Sequence, residues 1–297
     1  MATPKLAFIG FGEAAYHISR GLLKEGITGI KAYDKFINVE PQGSLIRERA
    51  KEASVELVPD LQALTHGSDI IFSAVSANLA LSISEAVKDC LRPGQVFADI
   101  NAASPMTKEQ AALIIAPTKA LFVDVAVMGP VPTSGHKVSM LVSGAGAKQF
   151  EVLKAYGMNM ENLGEKAGSA SALKMFRSIF MKGYVVLLLE ALIAGHRYGV
   201  EDKVLESIEE TLQQGPSIRE NINGLLGRGV IHSERREHEM DEVLATLKAV
   251  KVDDTMSKAA KAKLRWCTDL KFKEHFGGKP PADFHDIMKA YDELTSK

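Results

Sequence analysis

A glycine-rich turn near the start is the feature that most constrains the fold of this chain. Residues 5–15 read KLAFIGFGEAA, in which a short apolar run ends on Gly10 and a second glycine follows at Gly12. The run is typical of a buried parallel strand, and the residues after it place apolar side chains at helical spacing. A glycine turn between a strand and a helix offers free backbone N–H groups to a phosphate. The pattern Gly10–Gly12–Ala15 therefore predicts a dinucleotide-binding unit.

A carboxylate follows at the spacing that a bound ribose requires. GIKAYD (residues 29–34) predicts a second strand that ends on Asp34, about 20 residues after Gly12. This carboxylate can accept a hydrogen bond from a ribose 2′-OH and would repel a 2′-phosphate, which favours NAD, whereas the neighbouring Lys35 keeps NADP possible. A strand–turn–helix unit without a ligand is the alternative, but the order and spacing of the four features favour the dinucleotide.

Strand-like and helix-like segments alternate over the first half of the chain and then stop alternating. Further strands are expected at 55–59, 69–75, 95–100, 120–128 and 137–145, with helices at 44–53, 60–68, 79–94 and 104–117 between them. Only helices are expected afterwards, over 169–198, 201–213, 217–226, 233–251, 255–275 and 281–295. The sequence predicts an α/β fold: a doubly wound, Rossmann-type parallel sheet over 1–165, then an all-helical domain over 166–297.

Composition narrows the range of partners. The net charge of −1 gives no reason to expect nucleic acid or an anionic membrane. GYVVLLLEALIAG (183–195) is short and contains Glu190, which indicates a helix buried against other helices, of this chain or of a second subunit, rather than a membrane span. Cys90 and Cys267 form no C-x-x-C pair, no metal site is expected, and MATPK runs directly into the first strand. We expect a cytoplasmic protein.

Polar and small residues follow several predicted strands, at the sheet edge where such folds bind ligands. The small side chains of SAVSAN (73–78) leave room for a flat ring. Asn101 can hydrogen-bond a nicotinamide or a substrate, or it can share the capping of a helix with Ser104. DVAVMGPVPTSG (124–135) predicts a rigid loop. Each segment is also compatible with an ordinary connection.

Lys174 opens the predicted helical domain within GEKAGSASALKMFRSIFMKG (164–183). It lies among apolar residues, with Arg177 at i+3. A lysine that is partly buried beside a cation has a lowered pKa and can transfer a proton near neutral pH. On the residues alone, a solvated helix lysine is the competing interpretation.

Four motifs together resemble the β-hydroxyacid dehydrogenase family, which includes 3-hydroxyisobutyrate and 6-phosphogluconate dehydrogenases. They are GFGEAA (10–15), DINAASP (99–105), DVAVMGP (124–130) and GSASALKMFRS (168–178). The resemblance covers nearly the whole chain and is closest to the branch with a C-terminal domain of unknown function. RREHEMDEV (235–243) is also typical of that branch.

The resemblance implies an NAD(P)-dependent oxidoreductase, with Lys174 as general acid and base toward a small, anionic, hydroxyl-bearing substrate. It implies a homodimer formed through the helical domain. The implied cofactor-binding residues are Gly10, Phe11, Gly12, Glu13, Ala14, Asp34, Lys35, Val75, Ser76 and Asn101. The implied substrate-binding residues are Asn101, Met128, Gly129, Arg177 and Ser178.

This sequence departs from the family pattern at the substrate motifs. Met128 replaces a substrate-binding serine and Pro130 replaces a glycine, while Ser178 replaces an asparagine and follows Arg177. A thioether loses one polar contact, and an arginine offers bidentate recognition of a carboxylate.

Two other functions remain open at this point. Imine reductases share the architecture but commonly lack the lysine, so Lys174 favours alcohol chemistry. A non-catalytic dinucleotide-binding protein would fit the replacements at Met128 and Ser178. A charged set in the helical domain either reaches the site or forms an exposed helix start; it comprises Arg235, Arg236, His238 and Glu239.

Overall fold

An eight-stranded sheet forms the centre of the N-terminal half in the computed structural model, which describes residues 3–296. The strands are β1 (Leu6–Ile9), β2 (Lys31–Tyr33), β3 (Glu56–Leu57), β4 (Ile70–Ser73), β5 (Val96–Asp99), β6 (Leu121–Val127), β7 (Met140–Ser143) and β8 (Met160–Asn162). Their order is β3-β2-β1-β4-β5-β6-β7-β8. Strand β1 pairs in parallel with both β2 and β4, so the chain reverses its direction of travel across the sheet beside β1. Ligands of doubly wound sheets bind at this switch point.

Helices cover both faces of this sheet, which confirms the predicted fold class. They are α1 (Glu13–Lys24), α2 (Gln42–Glu52), α3 (Leu61–Thr65), α4 (Ala80–Lys88), α5 (Pro105–Ile115), α6 (Val131–Ser134) and α7 (Ala147–Phe150). Successive β1 side chains alternate between two buried clusters: Phe8 joins the cluster of Phe72 and Phe150, and Ile9 joins that of Phe97. The Phe8 and Phe72 rings stack 4.7 Å apart.

The far edge of the sheet differs from the parallel arrangement expected from the sequence. Strand β7 runs antiparallel to β6, with Asp124 opposite Ser143, and β8 then pairs in parallel with β7. A parallel neighbour requires a crossover connection, usually through a full helix. The β6–β7 connection contains only α6 and a single 3₁₀ turn, so β7 returns as a hairpin partner. The short β8 was not expected at all.

The chain divides into two compact units, Met1–Ser178 and Ile179–Lys297. The division falls inside α8 (Ser169–Tyr198), so the first three turns of this helix belong to the first unit. The second unit continues with α9 (Glu201–Leu212), α10 (Ile218–Ile231), α11 (Ser233–Ala249), α12 (Thr255–Asp269), α13 (Phe272–His275) and α14 (Phe284–Thr295). The single helix expected over 255–275 is interrupted because Lys271 adopts a left-handed conformation with φ 61°.

Helix α8 exposes most of its apolar side chains in the single chain, and the expected burial against helices of a second subunit stays a prediction. It is long and apolar enough to cross a membrane by length and composition, with a mean hydropathy of 1.7 over an 18-residue window of which 11% is buried. Ile179 and Phe180 are 73% and 64% exposed. The buried group is instead Glu190, which accepts hydrogen bonds from the backbone N–H groups of Met256 and Ser257 and stabilises the start of α12.

Candidate active site

Glycine occurs at positions 10 and 12 of the first turn for two different structural reasons. Gly10 has φ +84°, and a β-carbon there would lie 2.5 Å from the Ala74 carbonyl oxygen, so the fold itself requires glycine. Gly12 is the N-cap of α1 with φ −77°, and a β-carbon there would meet no atom within 4 Å. The chain therefore leaves bare backbone at the start of α1, where the helix N-terminus attracts an anion.

Asp34 is fixed to this turn by hydrogen bonds. Its Oδ2 accepts from the Phe11 N–H at 2.8 Å, and its Oδ1 accepts from the Phe36 N–H at 2.9 Å. Each carboxylate oxygen keeps capacity for a further hydrogen bond. The Lys35 amine lies 4.8 Å from the centroid of the Phe36 ring. The carboxylate is thus held at the end of β2, beside the start of α1.

A cavity of about 400 Å³ opens between the ends of β1, β2 and β4. Six of the predicted cofactor-binding residues line it, namely Gly10, Gly12, Asp34, Lys35, Val75 and Ser76. The bare glycine backbone and the fixed carboxylate fit a dinucleotide. Sequence analysis missed several apolar lining residues, although Leu79 and Ile83 share one helical face and could have been found by their spacing.

The other predicted cofactor-binding residues do not line this cavity. Phe11 is fully buried, Glu13 is exposed and Ala14 is partly buried on α1. Asn101 is 5% exposed; its Oδ1 accepts from the Val75 N–H at 2.6 Å and its Nδ2 donates to the Ser73 hydroxyl at 3.0 Å. Its amide joins the ends of β4 and β5, and its role toward a ligand stays a prediction.

A buried ionic cluster that the sequence did not predict lies beside these strand ends. Lys108 on α5 is 0% exposed. Its Nζ donates to the Asp99 backbone carbonyl at 2.6 Å and lies 3.1 Å from Asp99 Oδ1 and 3.6 Å from Asp124 Oδ1. Asp99 and Asp124 are register partners on β5 and β6. The sequence feature that could have predicted this cluster is the pair of aspartates at equivalent positions of neighbouring strands.

Asp124 fixes the first turn of α8. Its Oδ1 accepts from the Ser171 hydroxyl at 2.6 Å, and its Oδ2 accepts from the Ser171 backbone N–H at 2.9 Å. Ser143 supports the same turn, since its hydroxyl accepts from the Ala170 N–H at 3.1 Å. The carboxylate and the hydroxyl satisfy N–H groups that a helix start leaves free. The first turn of α8 is therefore tied to β6 and β7.

Lys174 lies three residues after Ser171, on the same face of α8, and is partly buried. Burial lowers the pKa of Lys174, the Lys108 ammonium lowers it further, and the Asp124 carboxylate opposes both. The sequence suggested Arg177 as the cation that lowers the pKa of Lys174. In the structure that cation is Lys108. Such a group releases and regains a proton nearer neutral pH than an ordinary lysine.

The predicted substrate-binding residues have separate environments. Arg177 is exposed and forms no ion pair within residues 3–296, while the Ser178 hydroxyl donates to the Lys174 carbonyl at 2.9 Å. Met128 packs against the cluster of Ala126, Leu141 and Ala170, and Gly129 is exposed after β6. Their contacts with a substrate stay predictions.

The charged set of the helical domain lies on α11 in the second unit. Arg235, His238 and Glu239 are exposed, and Arg236 is partly buried. The Arg235 guanidinium lies 3.5 Å from the Glu239 carboxylate, one helical turn away. A pair of this kind is typical of an exposed helix face.

Comparison with curated proteins identifies relatives over most of the chain. Residues 195–267 match the model of a domain of unknown function, DUF1932. An uncharacterised 28.5 kDa protein of Methanothermus fervidus is 30% identical over 239 residues, which span 80% of this chain and 89% of the relative. The 2-(hydroxymethyl)glutarate dehydrogenase of Eubacterium barkeri is 24% identical over 212 residues, 69% of this chain and 67% of that enzyme.

Solved structures share the fold. A conserved protein of unknown function, described as structurally similar to 3-hydroxyacid dehydrogenases, is 32% identical with a TM-score of 0.62, covering 91% of this chain and 98% of that one. An imine reductase of Myxococcus stipitatus is 19% identical with a TM-score of 0.75, covering 98% and 100%. The chain therefore belongs to the family of 3-hydroxyacid dehydrogenase-like proteins, in the branch that carries a C-terminal DUF1932 domain.

Proposed function

We propose that this protein is an NAD(P)-dependent oxidoreductase that transfers a hydride between nicotinamide and a hydroxyl-bearing carbon of a small, anionic, β-hydroxyacid-like substrate. The observation that carries the proposal is the partly buried Lys174, whose pKa is lowered and whose helix start is fixed to the ligand-binding sheet. Solved structures of this fold include an imine reductase in complex with NAD⁺ and a reductive aminase in complex with NADPH. One curated relative is a dehydrogenase of a hydroxymethyl acid.

Residues of the first unit have two functions in this proposal, cofactor binding and proton transfer. The free N–H groups at the start of α1 bind the pyrophosphate beside Gly12, and Asp34 accepts from the ribose hydroxyl. When bound, the nicotinamide accepts or donates the hydride. The neutral Lys174 amine takes the hydroxyl proton during oxidation, and the charged amine returns it during reduction.

A two-armed substrate panel tests this function. Hydroxyacids, including phosphorylated, sulfonated and aromatic ones, are supplied with NAD⁺ or NADP⁺, and cyclic imines are supplied with the reduced cofactors. Absorbance of reduced nicotinamide is followed in both arms. We expect turnover in the hydroxyacid arm. Turnover of imines alone would identify an imine reductase, and cofactor binding with no turnover in either arm would favour a non-catalytic binding protein.

The fixed position of Asp34 leads to a prediction about cofactor choice. Its two backbone hydrogen bonds prevent the carboxylate from turning away from a 2′-phosphate, so we expect kcat/KM to be higher with NAD than with NADP. Asp34→Asn removes the charge and can keep one of the two backbone hydrogen bonds, and we expect it to lower the NAD/NADP ratio about tenfold or more. Steady-state kinetics with both cofactors measure the ratio. An unchanged ratio in the variant would show that Asp34 does not discriminate.

Arg177 leads to a prediction about substrate charge. An exposed guanidinium one turn from Lys174 can bind a carboxylate through two hydrogen bonds. We expect Arg177→Ala to raise KM for an anionic hydroxyacid by about 10–100-fold, as expected for a lost charged hydrogen bond. Lys166→Ala, at an exposed lysine of the same unit, is the control. An unchanged KM in Arg177→Ala would exclude this role.

The exposed apolar side chains of α8 favour a homodimer in which a second copy covers them. Large exposed apolar surfaces on soluble proteins commonly mark sites of protein–protein contact. We propose a cytoplasmic homodimer that binds neither membrane nor nucleic acid. Light scattering during size-exclusion chromatography would give twice the chain mass. A monomer that sediments with lipid vesicles would contradict this assignment.

A further inference from the structure

Lys108 is a fully buried cation that the proposed chemistry does not use. Burying an unpaired ammonium costs several kcal/mol, so a buried lysine persists only with compensating partners. Its partners are the Asp99 carbonyl and carboxylate and the Asp124 carboxylate. One carboxylate is enough to compensate a buried lysine, but two carboxylates on adjacent strands contact Lys108. The second carboxylate, that of Asp124, therefore suggests a role for Lys108 besides its own burial.

We propose that Lys108 is a positioning residue for Lys174. Its ammonium holds the Asp124 carboxylate against the first turn of α8 and balances the negative charge of that carboxylate. Lys174 therefore extends from a fixed helical turn, beside an ion-paired Asp124. The inference rests on the proposed function of Lys174, because it assigns Lys108 a role in the same proton transfer.

A continuous set of short contacts joins the two lysines. Lys108 Nζ lies 3.6 Å from Asp124 Oδ1, and the same oxygen accepts from the Ser171 hydroxyl at 2.6 Å. Ser171 precedes Lys174 by one helical turn on one face of α8. The backbone just before α8 also packs closely against α5: a β-carbon at Gly168 would lie 2.9 Å from the Pro105 carbonyl oxygen, at the start of the helix that carries Lys108.

Two charged groups act on Lys174, namely Lys108 of α5 and Asp124 of β6. Asp99 of β5 contacts Lys108, and Glu109 of α5 lies beside Gly168. The contact from β7 to the first turn of α8 is made by the uncharged Ser143. Asp99 Oδ2 has no hydrogen-bond partner within residues 3–296, and burial raises the pKa of Asp99. Lys108 and Asp124 therefore act on Lys174 as neighbouring groups of opposite charge.

Replacing Lys108 and replacing Asp124 should shift the pKa of Lys174 in opposite directions. Lys108→Met leaves Asp124 as an uncompensated anion, so the pKa of Lys174 rises. Asp124→Asn leaves Lys108 as an uncompensated cation, so the pKa of Lys174 falls. A loss of packing, in contrast, would admit water in both variants and raise the pKa of Lys174 in both, toward that of an ordinary lysine.

Competitive acetylation of the full-length protein measures these pKa values without any substrate. Only the neutral amine reacts, so the labelling rate of Lys174, read by peptide mass spectrometry against exposed Lys148, gives its titration curve. Below the wild-type midpoint we expect Lys174 to react several-fold more slowly in Lys108→Met and several-fold faster in Asp124→Asn. Lys148→Met is the matched control, read against Lys119, and leaves Lys174 unchanged.

Shifts in the same direction, or no shift, would overturn the proposal. If Lys108→Met does not fold, as circular dichroism would show, Asp124→Asn decides alone, since electrostatic coupling lowers the pKa of Lys174 in this variant whereas a loss of packing raises it. A failed substrate panel would defeat the proposed function and leave this titration intact. Opposite shifts would support the coupling of Lys108 to Lys174 whatever the substrate is.

Discussion

Replacing Lys174 with methionine is expected to lower kcat for hydroxyacid oxidation by about 10²–10⁴-fold, the usual contribution of a positioned acid or base. Methionine keeps the unbranched, helix-favouring shape of the side chain and removes only the amine. Lys174 belongs to α8 and does not line the cavity at the glycine turn. The dissociation constant of NAD, measured by fluorescence titration, should therefore stay at its wild-type value.

The control for this variant lies on the same helix. Lys182 is exposed, eight residues further along α8, and Lys182→Met removes an amine of the same kind from the same element. We expect it to retain wild-type kcat. A Lys174→Met protein that also retains kcat would refute the assignment of the acid and base. Equal losses in both variants would indicate that the helix, and not the amine, had been damaged.

The second large effect is expected at Gly12. A methyl group at this position meets no atom of the chain within 4 Å, and φ is −77°, so the free energy of unfolding of Gly12→Ala should change by no more than about 1 kcal/mol. The same methyl group would occupy the bare backbone that a pyrophosphate must approach. We expect the dissociation constant of NAD to rise at least about tenfold, or 1.4 kcal/mol.

Gly10 provides the matched comparison. Gly10→Ala would place a β-carbon 2.5 Å from the Ala74 carbonyl oxygen in a residue with φ +84°. It should lose about 1–2 kcal/mol for the left-handed conformation alone, with the clash in addition. Thermal unfolding and NAD titration of both variants separate the two roles. Wild-type NAD affinity in Gly12→Ala would show that the cofactor does not approach this turn.

The local features of the fold could be predicted because nearby residues determine them. The strand–turn–helix around Gly10 is where the sequence placed it. Helix α5 begins as predicted with Ser104 as its cap, and the Ser104 hydroxyl accepts from the Thr107 N–H at 3.1 Å. Caps and tight turns depend on a few consecutive residues, so a single sequence reveals them.

Features that depend on distant residues could not be predicted. The direction of β7 is set by a connection too short for a crossover, and its apolar run alone is compatible with either direction. Lys108 reads as an ordinary polar residue of α5 until β5 and β6 bring two aspartates beside it. Hydrophobic patterning located the strands, but it carries no information on which charged side chains meet in the interior.

Helix α8 shows a different limit of sequence reasoning. Its apolar residues run around the whole helix, a pattern that predicts burial. Within the single chain that burial is not achieved, and Glu190 is among the few buried side chains of the apolar stretch. A sequence shows that such a surface favours burial without showing which surface covers it.

The most direct test of the account is the pH dependence of hydride transfer in both directions. Oxidation needs the neutral amine, so kcat/KM should rise with pH through the pKa of Lys174, below the value of about 10.4 for an ordinary lysine. Reduction needs the charged amine and should fall over the same range. We expect both pH dependences of kcat/KM to disappear in Lys174→Met. Unchanged pH dependences in that variant would show that another group carries the proton and would contradict the account.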